Sequence, residues 1–398
     1  MVVNPTPLLR RQPAIRSSLM TRSYRLHARL CRLCGCFFVR GLYDGDDQET
    51  PRVVWKSWYT LYSLCCLTFL LWVELEDLVP DASKTVAFRG EVDACIRFST
   101  HSVLLFRSVL NFISLSWTSS KIIDFYDRAS KFEKSITMLS RGFGAPKRFF
   151  WADVHRLSLC VIFCAVFTLA PPYPTDEEPL GDSTSDVLME AWFWSKSLIS
   201  GLFYFVYDSI YFVSLTPSSK VLQMYLNTQL QLLQECTDLQ SNVSVTHLDA
   251  SRRLEDIRLN LFIIRKLKED MNDIWRWPLV VSAFCVLLVP CNYLHEIYVH
   301  DTAWRQRLGM VLYSLWFAYE ITVLSSTSQS LLNTLRYLHA SIDPEAMSLK
   351  GADFFELKMS LPVSIAAALI TYGVILIQTT QVFNGPHCGN ITSVVAEA

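Results

Sequence analysis

Cys31, Cys34 and Cys36, with His27 four residues ahead of the first, form the tightest group of metal-ligand types in the chain. Thiolates and imidazole at this spacing suit tetrahedral zinc, but a structural zinc site needs a second spaced pair, and none follows. The group reads as chance, or as a lipidation site beside a membrane, and no cofactor or metal is implied. Enzyme constellations are missing from the sequence as well: there is no His-x-x-x-His, no glycine-rich phosphate loop and no nucleophile elbow. The other residues with chemistry to offer are ionisable groups set inside apolar stretches, namely Arg97, Arg107, Glu190, Lys196, Asp208 and Glu320. Such ions are costly unless paired or wet, so they mark protein-facing or water-facing surface within a membrane.

The elements that hold these residues follow from composition. The chain has 398 residues, 51% of them hydrophobic and only 18% charged, and its mean hydropathy of +0.25 exceeds that of ordinary soluble domains. A net charge of -1 argues against nucleic acid as a partner, since neutralising phosphates requires a clustered basic excess. The twelve cysteines are scattered, and several (Cys65, Cys66, Cys160, Cys164, Cys285) lie in apolar runs where they act as small hydrophobes, so no disulfide framework is expected.

A helix needs about 20 apolar residues to cross the hydrocarbon. Seven stretches qualify. Ser57 to Val73, Leu157 to Ala170, Trp277 to Leu294 and Met359 to Gln381 are free of Asp, Glu, Lys and Arg. Ala94 to Trp117, Val187 to Leu215 and Arg307 to Ser328 carry the internal charges. The expected fold is all-α and polytopic.

Orientation comes from the connectors, because Lys and Arg concentrate on the cytoplasmic side. Met1 to Arg52 holds nine arginines against four acids, and Thr118 to Phe149 seven bases against three acids. Glu74 to Asp93 has six acids and two bases, and Pro171 to Asp186 five acids and no base. The alternation predicts a cytoplasmic amino terminus and an extracellular carboxyl terminus. Eight arginines precede Asp44, the first acid; transit peptides share that feature, but the spans that follow favour a cytosolic basic arm. No apolar run of seven or more follows the early arginines, so the first span is expected to serve as its own insertion signal. Asn390-Ile-Thr then lies outside and can carry glycan, whereas Asn242-Val-Ser lies inside and cannot.

Beyond the fourth span, Leu222, Tyr225, Leu226, Leu230 and Leu233 repeat at helical spacing, as do Leu254, Ile257, Leu261, Ile264 and Leu267 before the fifth. They predict a cytosolic helical layer. The organisation is therefore a basic arm at 1–52, four spans at 53–216, a cytosolic extension at 217–275, two spans and a further extension at 276–350, a last helix at 351–382 split into a cytosolic half and a membrane half near Pro362, and an extracellular tail at 383–398.

The last helix holds Thr371-Tyr372, five residues from Gly373 to Ile377, then Gln378. This resembles the signature of the insect gustatory receptors, Thr-Tyr, five hydrophobics, then Gln-Phe. Gly351, Phe354, Phe355, Leu357 and Leu361 are similar to the lead-in of that family, and Leu30-Cys31-Arg32-Leu33-Cys34-Gly35 is similar to its cytosolic entry into the first span. The sequence departs from the pattern at Thr379, where the family has Phe. The resemblance implies a tastant-gated, non-selective cation channel of four subunits, homomeric or heteromeric, in a plasma membrane, with the last helix of each lining a central pore and the other six spans holding the ligand. Thr371, Val374, Ile375 and Gln378 fall on one helical stripe, which suits a water-filled axis, and Thr379 takes the place of the aromatic seal.

For the small-molecule ligand, the outer halves of spans two to six offer Phe98, His101, Phe163, Phe167, Trp192, Trp194, Lys196, Tyr313 and Trp316. Aromatic walls with few polar groups are the usual make-up of ligand cavities. Glu190 is the expected neutraliser of Lys196, and Arg107, Asp208 and Glu320 fall at one depth where they can form a buried cluster. Two rivals are a G-protein-coupled receptor and a transporter. The first is disfavoured by Asp127-Arg128 following the second span with Ala129 next, and by orientation; the second lacks a repeated pair of Gly/Pro-interrupted segments.

Overall fold

The computed structural model describes residues 18–41, 51–86, 92–136, 146–169, 184–208, 210–240, 247–299, 304–338, 350–351, 355–356 and 360–383. Asn242, Asn390 and the 171–183 loop lie outside them, as do the side chains of Arg97, Glu190, Asp208 and Thr379. Among these residues the helices are α1 (Leu19–Leu33), α2 (Trp58–Val86), α3 (Val92–Ser135), α4 (Pro146–Leu169), α5 (Thr184–Asp208), α6 (Ile210–Gln240), α7 (His247–Val299), α8 (Trp304–Leu338) and α9 (Ser360–Phe383). Two small antiparallel pairs complete the inventory: β1 (Val39–Arg40) with β2 (Arg52–Val53), and β3 (Lys350–Gly351) with β4 (Phe355–Glu356). The architecture is an all-α bundle.

Four helical segments stand out as long and apolar enough to cross a membrane, Trp58–Glu76, Trp151–Leu169, Ser251–Tyr298 and Trp304–Thr334, with a shorter apolar segment at Ser360–Ile375. Together with α3 and with α5 running toward α6, whose internal charged residues depress their hydropathy, they correspond to the seven stretches read from the sequence. Proline inside α6 (Pro217) and α7 (Pro278, Pro290) is tolerable because neighbouring helices re-satisfy the freed carbonyls in a membrane bundle.

The end of the bundle that bears the arginine-rich connectors holds the helical layer. Ile257, Ile264, Leu267, Met271 and Ile274 of α7, spaced by seven, three, four and three residues, fall on one helix face and are buried, as are Leu222, Tyr225 and Leu226 of α6, against which α7 packs. Leu254, expected in that stripe, is exposed, because it stands at the amino-terminal end of α7 before the helix meets its neighbours. Arg128 of α3 reaches Asp270 of α7 at 2.6 Å.

Inside this layer sits α1, and its caps explain the cysteine group. Ser18 accepts from the Thr21 amide at 3.0 Å, while the Glu133 carboxylate of α3 accepts from the Leu19 and Met20 amides at 2.6 and 3.0 Å. Tyr225 of α6 donates its hydroxyl to the same carboxylate. At the other end Gly35 takes φ 77°, the Cys36 amide donates to Cys31 O at 2.9 Å, and the Gly35 amide donates to Arg32 O at 3.3 Å. That pattern is a Schellman cap, which requires a residue free to adopt positive φ. A Cβ on Gly35 would come within 2.9 Å of Ser63 Cα, so the cap is also the place where α1 meets α2.

The cysteines are thus absorbed into a helix end. Cys31 Sγ lies 3.0 Å from His27 Nε2, Cys36 Sγ donates to Cys31 O at 3.2 Å, and all three thiols are buried, which removes lipidation as their role. Burial pushes the Cys31, Cys34 and Cys36 thiols up. Burial, with the Arg156 guanidinium nearby, holds His27 neutral, its pKa pushed down to about 3. For Glu133 the loss of water outweighs its three hydrogen bonds and raises the carboxyl above its ordinary value.

The last helix starts at Ser360, with Pro362 in its first turn, where an amide would have no intrahelical partner in any case. The cytosolic half-helix expected upstream is replaced at the described residues by a strand pairing of Gly351 with Phe355 and Lys350 with Glu356. Gly351, in β3, disfavours helix, and the apolar repeat needed for a buried helical face is too short there. From Ser360 onward α9 leans on α7 and α8, burying Ile365 and leaving Val363 and Ile370 70% and 68% exposed.

Candidate functional site

On α4, Leu159, Ile162, Phe163, Val166 and Phe167 share one face, and on α8, Gly309, Leu312, Tyr313, Trp316 and Tyr319 do the same. Where the two faces meet, with Leu315 at the side, they enclose a cavity of about 380 Å³. This falls within the roughly 300–1,000 Å³ of small-molecule sites. Its inner wall is aromatic. The Phe163 ring lies 5.3 Å from Trp316 and 5.8 Å from Tyr313, and Phe205 of α5 stands 5.8 Å from Trp316. Tyr293 of α7 stands 6.1 Å from Tyr313. Rings at these separations prefer tilted and edge-to-face contacts, which hold the wall in shape.

Behind the wall lies a buried charge. Tyr313 meets Phe317 edge-on at 4.9 Å, and the guanidinium of Arg107 on α3 lies 4.9 Å above the Phe317 ring. Glu320 follows Phe317 by three residues on the same helix face, and Arg107 and Glu320 are both fully buried. Of the two described members of the expected cluster, Arg107 thus stands over an aromatic ring that meets the cavity wall.

Of the residues expected to meet a ligand, the fold gathers Phe163, Phe167, Tyr313 and Trp316 into one cavity. It takes Lys196 and Trp192 elsewhere. Lys196 Nζ pairs with Glu76 Oε2 of α2 at 2.6 Å and stands 5.7 Å over Trp72, whose ring is 6.4 Å from Trp192. Glu76 is thus the described partner of Lys196, and the Glu190 side chain expected there lies outside the described residues. His101 is buried on α3 beside Thr100, which with Ser99 accepts from Asn292 Nδ2 of α7 at 2.7 and 3.2 Å. It does not line the α4–α8 cavity. Leu159, Ile162, Val166, Gly309, Leu312, Leu315 and Tyr319 were not singled out from the sequence; most stand three or four residues from the aromatics that were, and stepping along the helical repeat would have found them.

The second candidate surface is α9. Thr371, Tyr372, Val374, Ile375 and Gln378 are all exposed, and the Thr371 hydroxyl donates to Ala367 O at 2.9 Å within its own helix. In a single chain this apolar span leans on α7 and α8 and leaves Val363, Ile370, Thr371, Tyr372, Val374 and Gln378 exposed among its described side chains.

No protein-family model and no curated protein matches this sequence. Among solved structures, the insect olfactory receptor OR5 from Machilis hrabei in complex with eugenol aligns over 91% of this chain and 98% of its own, with a TM-score of 0.67 and 15% identity. A second structure of that receptor aligns over 89% and 97%, with a TM-score of 0.56 and 14% identity. At these identities the likeness is one of fold, and it extends over nearly the whole of both chains.

Proposed function

From the fold of an insect olfactory receptor, carried by a sequence with the gustatory Thr371-Tyr372 and Gln378 motif, we propose that this chain is a gustatory receptor: a tastant-gated, non-selective cation channel in the plasma membrane of sensory neurons. The observation that carries the reading is the bare α9. An apolar membrane helix with polar Thr371 and Gln378 at intervals is poorly suited to face lipid on all its uncovered sides, and well suited to face like helices around an axis. Four copies would place four Gln378 amides around the path of a partly hydrated cation, with Val374 and Ile375 able to close it by dewetting.

The α4–α8 cavity is where the tastant binds in this reading, against Phe163, Tyr313 and Trp316. The solved relative was captured with eugenol, which supports a small-molecule ligand. Binding reaches the channel through Tyr313, Phe317 and the buried Arg107, which join α8 to α3 behind the cavity. Lys196 with Glu76 and Trp72 serves to bind α5 to α2 near the outer rim.

Excised patches from cells expressing the chain test the assignment. Ligand-evoked unitary currents in the absence of nucleotide are expected, with ion selectivity altered in Gln378→Ala. Dependence on GTP would turn the reading toward a coupled receptor, and saturable flux without unitary steps toward a transporter.

A further inference from the structure

We infer that the α4–α8 cavity admits an uncharged, ring-containing lipophilic molecule, and that this molecule arrives sideways through the bilayer. The inference rests on the reading of the chain as a ligand-gated receptor and narrows it to a class of ligand and a route.

The class follows from the lining. Among the described residues no Asp, Glu, Lys, Arg, His, Asn, Gln, Ser or Thr lines the cavity; the side-chain heteroatoms of its described lining are the hydroxyls of Tyr313 and Tyr319 and the indole nitrogen of Trp316. A cationic or anionic guest would lose its hydration with no counter-charge, and a sugar would bury many hydroxyls against at most three polar atoms. Both are strongly disfavoured. The grouped ring faces and edges of Phe163, Tyr313 and Trp316 instead match a compact cyclic guest.

The route follows from which side is closed. Toward the bundle interior the cavity ends on Phe163, Phe167 and Tyr313, all buried, with Phe205 and Phe317 behind them also buried. On the opposite side Ile162 and Leu315 are 57% and 59% exposed, and their neighbours Val161 and Val311 are exposed too. These residues lie inside the apolar segments Trp151–Leu169 and Trp304–Thr334. Leu315 stands about 16 Å along α8 from Trp304 at a rise of roughly 1.5 Å per residue, which is near the middle of a hydrocarbon layer about 30 Å thick. The open side therefore faces acyl chains, and a ligand using it must first dissolve in them.

The test applies phenol and its 4-alkyl series, sucrose, and phenyltrimethylammonium to the full chain in planar bilayers, with Leu315→Trp as the variant that narrows the mouth. Potency is expected to rise about fourfold per added methylene until the cavity is full, with sucrose and phenyltrimethylammonium inactive. In Leu315→Trp, current onset and washout for the alkylphenols should slow at least tenfold. Gating by sucrose or by the ammonium ion would overturn the ligand class. Unchanged alkylphenol kinetics in Leu315→Trp would overturn the route. If the variant alters only how tightly phospholipid is retained, seen by native mass spectrometry, the cavity is an acyl-chain site and the inference fails. Silence to every probe with spontaneous unitary openings preserved would sink this inference alone; absence of any unitary current would sink the channel reading with it.

Discussion

Replacing Glu133 by Ala should release α1 from the helical layer without unfolding the bundle. The carboxylate accepts from the Leu19 and Met20 amides and from the Tyr225 hydroxyl, and all four residues are buried. Truncation leaves three donors dry and unpaired, at about 1–3 kcal/mol each, and deletes an anion from a helix amino terminus, a further ~0.3–1 kcal/mol. Against this stands relief of a desolvated carboxylate, since burial raises the Glu133 carboxyl above its ordinary value. A net loss near 3 kcal/mol is the sensible estimate, which corresponds to roughly a hundredfold rise in the undocked fraction. Limited trypsin digestion of the purified protein reads that fraction, because cleavage at Arg25 and Arg29 of α1 requires local opening. The expected result is a roughly hundredfold faster cut there, with cleavage in α7 unchanged; Glu133→Gln, which keeps the shape and one acceptor, should fall between. Wild-type protection in Glu133→Ala, or equal acceleration at every site, would refute the latch.

Acid should loosen the same latch through His27. Its pKa is held at about 3 when docked against about 6.5 when free, so undocked α1 takes up the proton first and docking weakens as pH falls below 6.5, by up to ~1.4 kcal/mol per unit. Glu133, whose pKa is raised, acts in the opposite sense just above its ordinary carboxyl value, so His27→Gln should flatten the loss between pH 6.5 and 5, as measured by hydrogen exchange of α1. Trp316→Ala removes the ring against Phe163 and Phe205 and should weaken ligand potency by about 10–100-fold, on the ~1.5–3 kcal/mol of a buried apolar side chain, with single-channel conductance preserved. Arg107→Met should destabilise the bundle by ~2 kcal/mol through the lost contact with Phe317, read as a lower thermal midpoint in detergent. Deglycosylation should shift the mobility of the wild type and not of Asn390→Gln, whereas sugar on Asn242 would reverse the orientation.

What could be read from the sequence was what repeats locally. Phe163, Phe167, Tyr313 and Trp316 announced an aromatic wall because their helices were legible as apolar runs, and Pro362 marked where α9 begins. Pairings between distant helices were not legible. Lys196 meets Glu76, 120 residues away, because helix adjacency in the bundle has no local signature. The cysteine group is legible for the opposite reason, a purely local one: the Cys34-Gly35 ending of an amphipathic helix signals a cap, which a chance or lipidation reading of the thiols leaves out. Upstream of Pro362, Gly351 and a short apolar stretch left helix and strand close in preference, and pairing with Phe355 decided between them.

The Glu133 latch also sets an order of events during synthesis. Leu19 waits 114 residues for the carboxylate that caps its helix, and at about 5–20 residues per second that is several seconds on the ribosome. Tyr225, the third participant, is translated later still. Through that interval the nascent α1 has only its local Ser18 and Gly35 caps and no covering layer, so its apolar face is a natural client for a chaperone or for the membrane surface, and its docking becomes a late checkpoint on whether the helices that enclose it have been threaded correctly.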